Sequence, residues 1–318
     1  MFQVAFFFCR PEVRMSRQTI VIIGGSGFIG RHLAAAYQAD GHRVIIVSRH
    51  PARAREADKR FEYIAALHHL YDSIRPDLLI NLAGASVGEG RWTAQRKQEL
   101  LQSRLQPVQA VADWLHRHPQ PPRLIIQASA VGYYGNGSAE GWPPCAENAP
   151  PQNVFPSQLC QQWETAIQRV QQESGVPVAV CRFGVVLGRN GGILPQLLKP
   201  VRYCAGRLGS GEQPLPWVHM DDVVAAIRFL ATQAHNSFQA YNITAPKRTT
   251  QLDFARAAAQ RLRRPLLFSV PEQMLRLMLG EQADLVLDGQ FAPPKALLQQ
   301  GFEFTFPTIE RALDNLLN

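Results

Sequence analysis

The chain places glycines at Gly24, Gly27 and Gly30 within the run Gly24-Gly25-Ser26-Gly27-Phe28-Ile29-Gly30. Glycines at this spacing allow a sharp turn, let a pyrophosphate approach without a Cβ in the way, and let the following helix pack close to a sheet. Exposed amides and the positive end of that helix then hold the phosphates. Further along, Ser48-Arg49 offers a hydroxyl and a guanidinium where an NAD-binding protein normally carries Asp or Glu for the ribose. That pair suits a 2′-phosphate and favours NADP, although Arg53 and Arg55 stand close by. Leu82-Ala83-Gly84 ends another apolar run in small residues and leaves room for a ligand across the strand's carboxyl edge. His219, Asp221 and Asp222 could serve a metal or acid-base chemistry, but an Asp opening the helix over Val223–Leu230 is expected to be its N-cap. No metal is expected.

These groups need a sheet to position them. Thr19–Ile23 is a β-branched run that stops at the glycines and resumes with helical apolar spacing at Phe28, Ile29, Leu33 and Tyr37. The pattern predicts a buried strand, a tight turn and a helix, the first βα unit of a dinucleotide-binding sheet. Further strands are expected at 43–49, 61–64, 77–84, 123–130 and 177–188, with a short crossover helix over 67–74. A helix after Thr93 carries Lys97, and Glu99 and Ser103, four apart, share one of its faces. Residues 206–211 read as a glycine-rich, mobile loop. Later elements are a strand at 238–243, a helix at 251–262, a strand at 265–270, and helices at 271–279 and 308–317 with Leu275, Leu279, Leu313 and Leu317 as core contacts.

A chain of 318 residues is long enough for a nucleotide-binding domain and a smaller lobe. With 46% hydrophobic and 18% charged residues and no biased tract, it reads as an ordinary globular protein. The net charge of +8 suits an anionic partner, and a nucleotide cofactor explains the sign as well as nucleic acid would. Zinc-finger spacing, a basic region with heptads and a basic-aromatic RNA-binding signature are all missing from the sequence, so no nucleic-acid partner is expected. Five widely spaced cysteines without a Cys-x-x-Cys fit reduced thiols in a cytoplasmic protein. The apolar opening at residues 1–9 is too short to span a membrane and poor as a secretory signal. Residues 1–15 are read as an extension, with Met15 a plausible start.

The glycine loop, Asn81-Leu82-Ala83-Gly84, Arg91-Trp92, Ser103-Arg104, Ser129-Ala130-Val131-Gly132-Tyr133-Tyr134-Gly135, Trp163-Glu164, Gly184–Gly188 and Trp217-Val218-His219 occur in an order that resembles the YfcH-like "epimerase family" proteins. These form an atypical branch of the extended short-chain dehydrogenase/reductases, and the likeness runs from about residue 19 to the end. It implies an α/β fold: a Rossmann-type doubly wound parallel sheet over 16–185, completed by 238–244, with a small C-terminal α+β substrate lobe mainly over 186–318. It also implies NADP bound by Ser48, Arg49, Leu82, Ala83, Glu99, Arg104 and Val186, beside the glycine loop and Gly84. A homodimer is compatible with it. Extended members of the superfamily carry Tyr-x-x-x-Lys at the start of the helix after the fifth strand, whereas here the corresponding residues are Pro156 and Cys160, a loss that the resemblance implies for the YfcH-like group as a whole. Neither can supply that proton chemistry. Ser129 and Tyr134 are the remaining hydroxyls near the reacting position and are the candidate catalytic residues. The expected function is an NADP-binding oxidoreductase or epimerase-like protein acting on a small molecule, by family analogy a nucleotide sugar. The alternative is a catalytically degenerate NADP(H)-sensing protein that regulates a partner.

Overall fold

A computed structural model describes residues 17–118, 120–136, 142–189 and 191–318. The extension expected at 1–15 lies outside the described residues. The first half alternates strand and helix: β1 (Thr19–Ile23), α1 (Phe28–Ala39), β2 (Arg43–Val47), α2 (Pro51–Ala57), β3 (Glu62–Ile64), β4 (Leu78–Asn81), α3 (Ala94–Arg117), β5 (Leu124–Ala130), α4 (Phe155–Ser174) and β6 (Val178–Phe183). The remainder comprises β7 (Val185–Leu187), α5 (Leu194–Arg202), β8 (Ala205–Leu208), β9 (Trp217–His219), α6 (Met220–Thr232), β10 (Phe238–Ile243), α7 (Gln251–Leu262), β11 (Phe268–Val270), α8 (Glu272–Leu279), α9 (Asp284–Leu287), α10 (Lys295–Gln299) and α11 (Ile309–Leu317).

Seven strands form one parallel sheet in the order β10-β6-β5-β4-β1-β2-β3. Helices cover both faces, which is why the central strands read as unbroken apolar runs: Ile20–Ile23, Leu78–Ile80 and Leu124–Ile126 are all buried. Strand order reverses between β1 and β4, and in open parallel sheets the crevice beyond such a switch point is where ligands bind. Two buried amides shape that crevice. Asn81 Nδ2 donates to Gln127 Oε1 at 2.9 Å, and Asn81 Oδ1 accepts from the Ala83 amide at 3.2 Å. The polar end of β4 thereby turns the chain through Leu82–Gly84.

Residues beyond β6 contribute to two cores. Val223, Ala226, Ile227 and Leu230 of α6, Leu297 of α10 and Phe302 all join the main core. A second core gathers Leu187, Leu194, Leu198, Trp217, Phe254, Ile309 and Leu313. β8 pairs with β11, and β7 with β9, in separate two-stranded sheets. Leu275 and Leu313 are buried as expected, while Leu279 and Leu317 are only partly so.

Three local expectations are corrected. Residues 67–74 form a single 3-10 turn, Leu67–His69, and not a crossover helix. One turn suffices to bury Leu67 and Leu70, and Tyr71 beyond them faces solvent. The stretch 206–211 is half strand, because Ala205–Leu208 finds a partner in β11, some sixty residues on. The cap of α6 is His219, whose Nδ1 accepts from the Asp221 amide at 3.1 Å. Asp222 instead accepts from the amides of Thr305 and Phe306 at 2.8 and 2.9 Å and ties the loop before α11 to the body.

Candidate functional site

The glycine loop leaves β1 with Gly24 at φ +77°, a conformation L side chains rarely adopt. A Cβ there would lie 3.0 Å from the Ala83 amide nitrogen, so the loop rests directly on the turn after β4. At Gly30 an added Cβ would be 2.5 Å from Gly25 Cα, and only glycine lets α1 seat against the loop. Gly27 differs from both. It is the N-cap of α1 in extended conformation, φ −75°, and a Cβ there would meet only Gly24 O at 3.1 Å before open space. The open side of the cradle is therefore at Gly27, at the start of a 12-residue helix with no acidic residue in its first turn. Phe28 is enclosed by the chain after β7, where Cβ atoms on Gly188 or Gly192 would come within 2.8 or 2.5 Å of its ring.

At the end of β2, Ser48 is buried and its hydroxyl lies 3.1 Å from the Ser26 hydroxyl of the glycine loop. This pair fixes the loop against β2. Arg49 is exposed beside it, and Arg55 is engaged with Tyr63 O at 3.3 Å on β3. The neighbouring stretch Ser48–Arg55 contains no carboxylate.

Beyond β4 the turn Leu82–Gly84 faces Arg104 from α3. Arg104 is 8% exposed, and its guanidinium donates to Leu100 O at 2.8 Å, Ala85 O at 3.1 Å and Ser103 Oγ at 3.3 Å. Its Cζ stands 5.0 Å over the Trp163 ring and 3.4 Å from where a Gly84 Cβ would be. No described carboxylate pairs with it, and burial pulls its pKa below the usual arginine value. Ser103 Oγ also accepts from the Ala85 amide at 3.0 Å. Glu99 is half exposed and pairs with Arg96 at 3.2 Å, and Arg96 in turn holds Ser86 O and Glu89 O. Val186 on β7 packs partly buried against the main core.

The two candidate catalytic hydroxyls lie inside the protein. Ser129, 3% exposed, donates to Glu164 Oε1 at 2.6 Å. Tyr134, 1% exposed, donates to Asn242 Oδ1 at 2.7 Å and accepts from Arg182 at 2.9 Å. Arg182 and Glu164 form a buried two-pronged ion pair at 2.7 and 2.9 Å, and the Arg182 Cζ lies 3.6 Å from the Tyr133 ring centroid. Burial pushes the Tyr134 hydroxyl up to about 12 even though Arg182 opposes the shift. Where the Tyr-x-x-x-Lys pair would stand, Pro156 packs against Gly132, with its Cβ 3.5 Å from an added Gly132 Cβ, and Cys160 is buried. Burial raises the Cys160 thiol to about 12, so it is neutral at physiological pH.

Glu164, Arg182 and Asn242 were not singled out as site residues from the sequence. The available signal was charge in an apolar register: Glu164 lies between buried Trp163 and Ile167, and Arg182 interrupts the buried strand 178–183. Among the described residues no group of His, Cys, Asp and Glu could hold a metal ion, and no helix is long and apolar enough to cross a membrane.

A parallel doubly wound sheet with a glycine-built cradle at its switch point defines a protein of the Rossmann type. Residues 20–244 match the NAD dependent epimerase/dehydratase family, and residues 270–316 match a domain of unknown function, DUF1731. Over 307 residues the chain is 35% identical to the epimerase family protein YfhF of Bacillus subtilis, covering 94% of this chain and 97% of that relative. The chain belongs to this epimerase family. The crystal structure of the human epimerase family protein SDR39U1 (isoform 2) with NADPH is similar, with a TM-score of 0.82, 30% identity, and 94% and 99% of the two chains covered. A UDP-glucose 4-epimerase from Thermotoga maritima shares the fold at a TM-score of 0.74 and 16% identity, over 93% of this chain and 97% of that one.

Proposed function

We propose that the chain binds NADP(H) across the β1/β4 switch point and acts as an NADP-dependent oxidoreductase or epimerase-like protein on a small molecule. The observation that carries this reading is the cradle, closed by glycine at Gly24 and Gly30 and open at Gly27. The pyrophosphate would meet the loop at Gly27 and the first turn of α1, where free amides and the helix dipole favour negative charge. Ser48 and Arg49 would hold the 2′-phosphate, with Ser26 fixing the Ser48 hydroxyl. Leu82–Gly84, Arg104 and Val186 would border the nicotinamide half. The similar human protein, whose structure contains NADPH, supports the choice of cofactor.

When bound, NADP(H) supplies a hydride acceptor or donor. The chain's own part is to bind, orient and exclude water. Ser129 and Tyr134 hold the end of β5 in shape through Glu164, Arg182 and Asn242, and Pro156 and the buried Cys160 are unsuited to supply the proton that accompanies hydride transfer. The second reading, an NADP(H)-sensing protein without turnover, is favoured by that same packing of the positions where a Tyr/Lys pair would act. Calorimetric titration with NADPH and NADH, followed by absorbance screening of carbonyl compounds and nucleotide sugars against the holo-protein, separates the two. Tight NADPH binding without oxidation by any compound favours the sensor.

A further inference from the structure

Lys97 stands in the first turn of α3, with its ammonium 4.9 Å from the centroid of the Phe155 ring. Phe155 opens α4, Trp92 meets it edge-on at 5.0 Å, and the next residue, Pro156, packs against Gly132 in the turn Val131–Tyr134 that follows β5. The cation therefore stands on an aromatic floor at the rim of the crevice beyond β4 and β5. Its partner comes from far along the chain: Glu281 Oε1 lies 2.7 Å from Lys97 Nζ, across 184 residues. Glu281 belongs to the turn Gly280–Ala283 between α8 and α9. The same segment reaches the loop after β4 through Gln282 Nε2, which donates to Val87 O at 3.1 Å, and the loop after β5 through Asn136 Nδ2, which donates to Asp284 at 3.3 Å.

The ion pairs Arg182–Glu164 and Lys97–Glu281 differ in kind. Arg182–Glu164 is two-pronged, with side chains 4% and 7% exposed, and removing either partner would strand a buried charge. Lys97–Glu281 is single-pronged with side chains 30% and 48% exposed, so solvent screens it and its loss costs little. The neighbouring cations on α3 are committed to their own surroundings, Arg96 to Ser86 O, Glu89 O and Glu99, and Arg104 to Leu100 O, Ala85 O and Ser103. Lys97 has the aromatic face and one carboxylate contact as its surroundings, so that carboxylate can be exchanged without breaking a backbone tether. If Glu281 leaves, the ammonium keeps its aromatic floor.

We propose that Lys97 anchors an anionic oxygen group of the substrate, carboxylate or phosphate, and that Glu281 is an internal carboxylate which that group displaces. This rests on the reading of the crevice beyond β4 and β5 as the substrate site. The substrate is then a small anion, and the Glu281 carboxylate leaves Lys97 when it binds while Gln282 and Asp284 keep the segment in place.

The test is calorimetry on the NADPH-saturated protein, with malonate, inorganic phosphate and the neutral malonamide as probes. Removing the internal competitor in Glu281→Gln should strengthen anion binding about two- to fivefold, the range expected for a screened ion pair. Lys97→Met should weaken it about tenfold or more, Lys97→Arg should retain most of it, and malonamide should not bind. Preference for malonate or phosphate identifies the anion. Equal changes of the same sign in Glu281→Gln and Lys97→Met, or no anion binding by either wild type or Glu281→Gln, would overturn the proposal. NADPH affinity, measured separately on each variant, tests the cofactor reading independently of the anchor.

Discussion

Replacing Gly27 by valine separates a cofactor cradle from an ordinary turn. The Gly27 backbone, φ −75° and ψ 179°, is extended and comfortable for a β-branched residue. The new Cβ would have one tight neighbour, Gly24 O at 3.1 Å, which needs to give by only a few tenths of an ångström. The fold should therefore lose no more than about 1 kcal/mol, near the mild end of overpacking. The ligand has no such freedom, since the added methyls project into the open side where the pyrophosphate would approach the loop amides. Losing two charge-assisted hydrogen bonds at about 1.5–3 kcal/mol each amounts to two to four orders of magnitude in Kd. Gly30→Ala is the counterpart: its Cβ would be 2.5 Å from Gly25 Cα and 2.6 Å from Gly24 O, so it should destabilise the whole domain. Chemical denaturation and NADPH titration of both variants give the comparison. Wild-type affinity in folded Gly27→Val would refute the placement of the pyrophosphate, and an equal loss of stability in the two variants would refute the division of roles among the glycines.

Arg49→Ala should weaken NADPH about tenfold and leave NADH nearly unchanged, the low end for a charge-assisted bond because the side chain is exposed; parallel titrations decide it. Tyr134→Phe should cost about 1–3 kcal/mol in denaturant unfolding, since Asn242 Oδ1 and an Arg182 N–H lose a buried partner, while NADPH affinity stays within about twofold. A large loss of turnover without loss of stability would return the tyrosine to the chemistry. Burial holds the His219 pKa below the ordinary histidine value, against the pull of Asp221 and Asp222. As pH falls below about 6.5 the unfolded chain takes up the proton first, so stability should decline until the folded imidazole itself titrates. His219→Asn keeps a side-chain oxygen for the cap and should flatten that part of the stability-against-pH curve.

The local parts of the fold were legible in the sequence. Strand, glycine turn and helix over residues 19–39 are adjacent in the chain, and so are the apolar runs that become β2, β4, β5 and β6, because burial on both faces of a parallel sheet favours apolar residues along most of each strand. The absence of the Tyr/Lys pair at Pro156 and Cys160 needed no structure either. In two of the three places where sequence pattern misled, a long-range partner was the cause. The glycines at 206–211 suggested a loop, yet β8 forms because β11 lies beside it, and aspartates that looked like caps yielded to His219 because the Asp222 carboxylate is taken up by Thr305 and Phe306. The site's polar interior was beyond reach for the same reason. Ser129 meets Glu164 across 35 residues, Arg182 meets Tyr134 across 48, Tyr134 meets Asn242 across 108, and Lys97 meets Glu281 across 184. Sequence by itself determined which strands could be buried and where a phosphate could be cradled, since both depend on neighbouring residues. Which hydroxyls are locked inside and which carboxylate Lys97 meets was decided only when residues far apart in the chain packed together, because burial and charge pairing are properties of the packed chain.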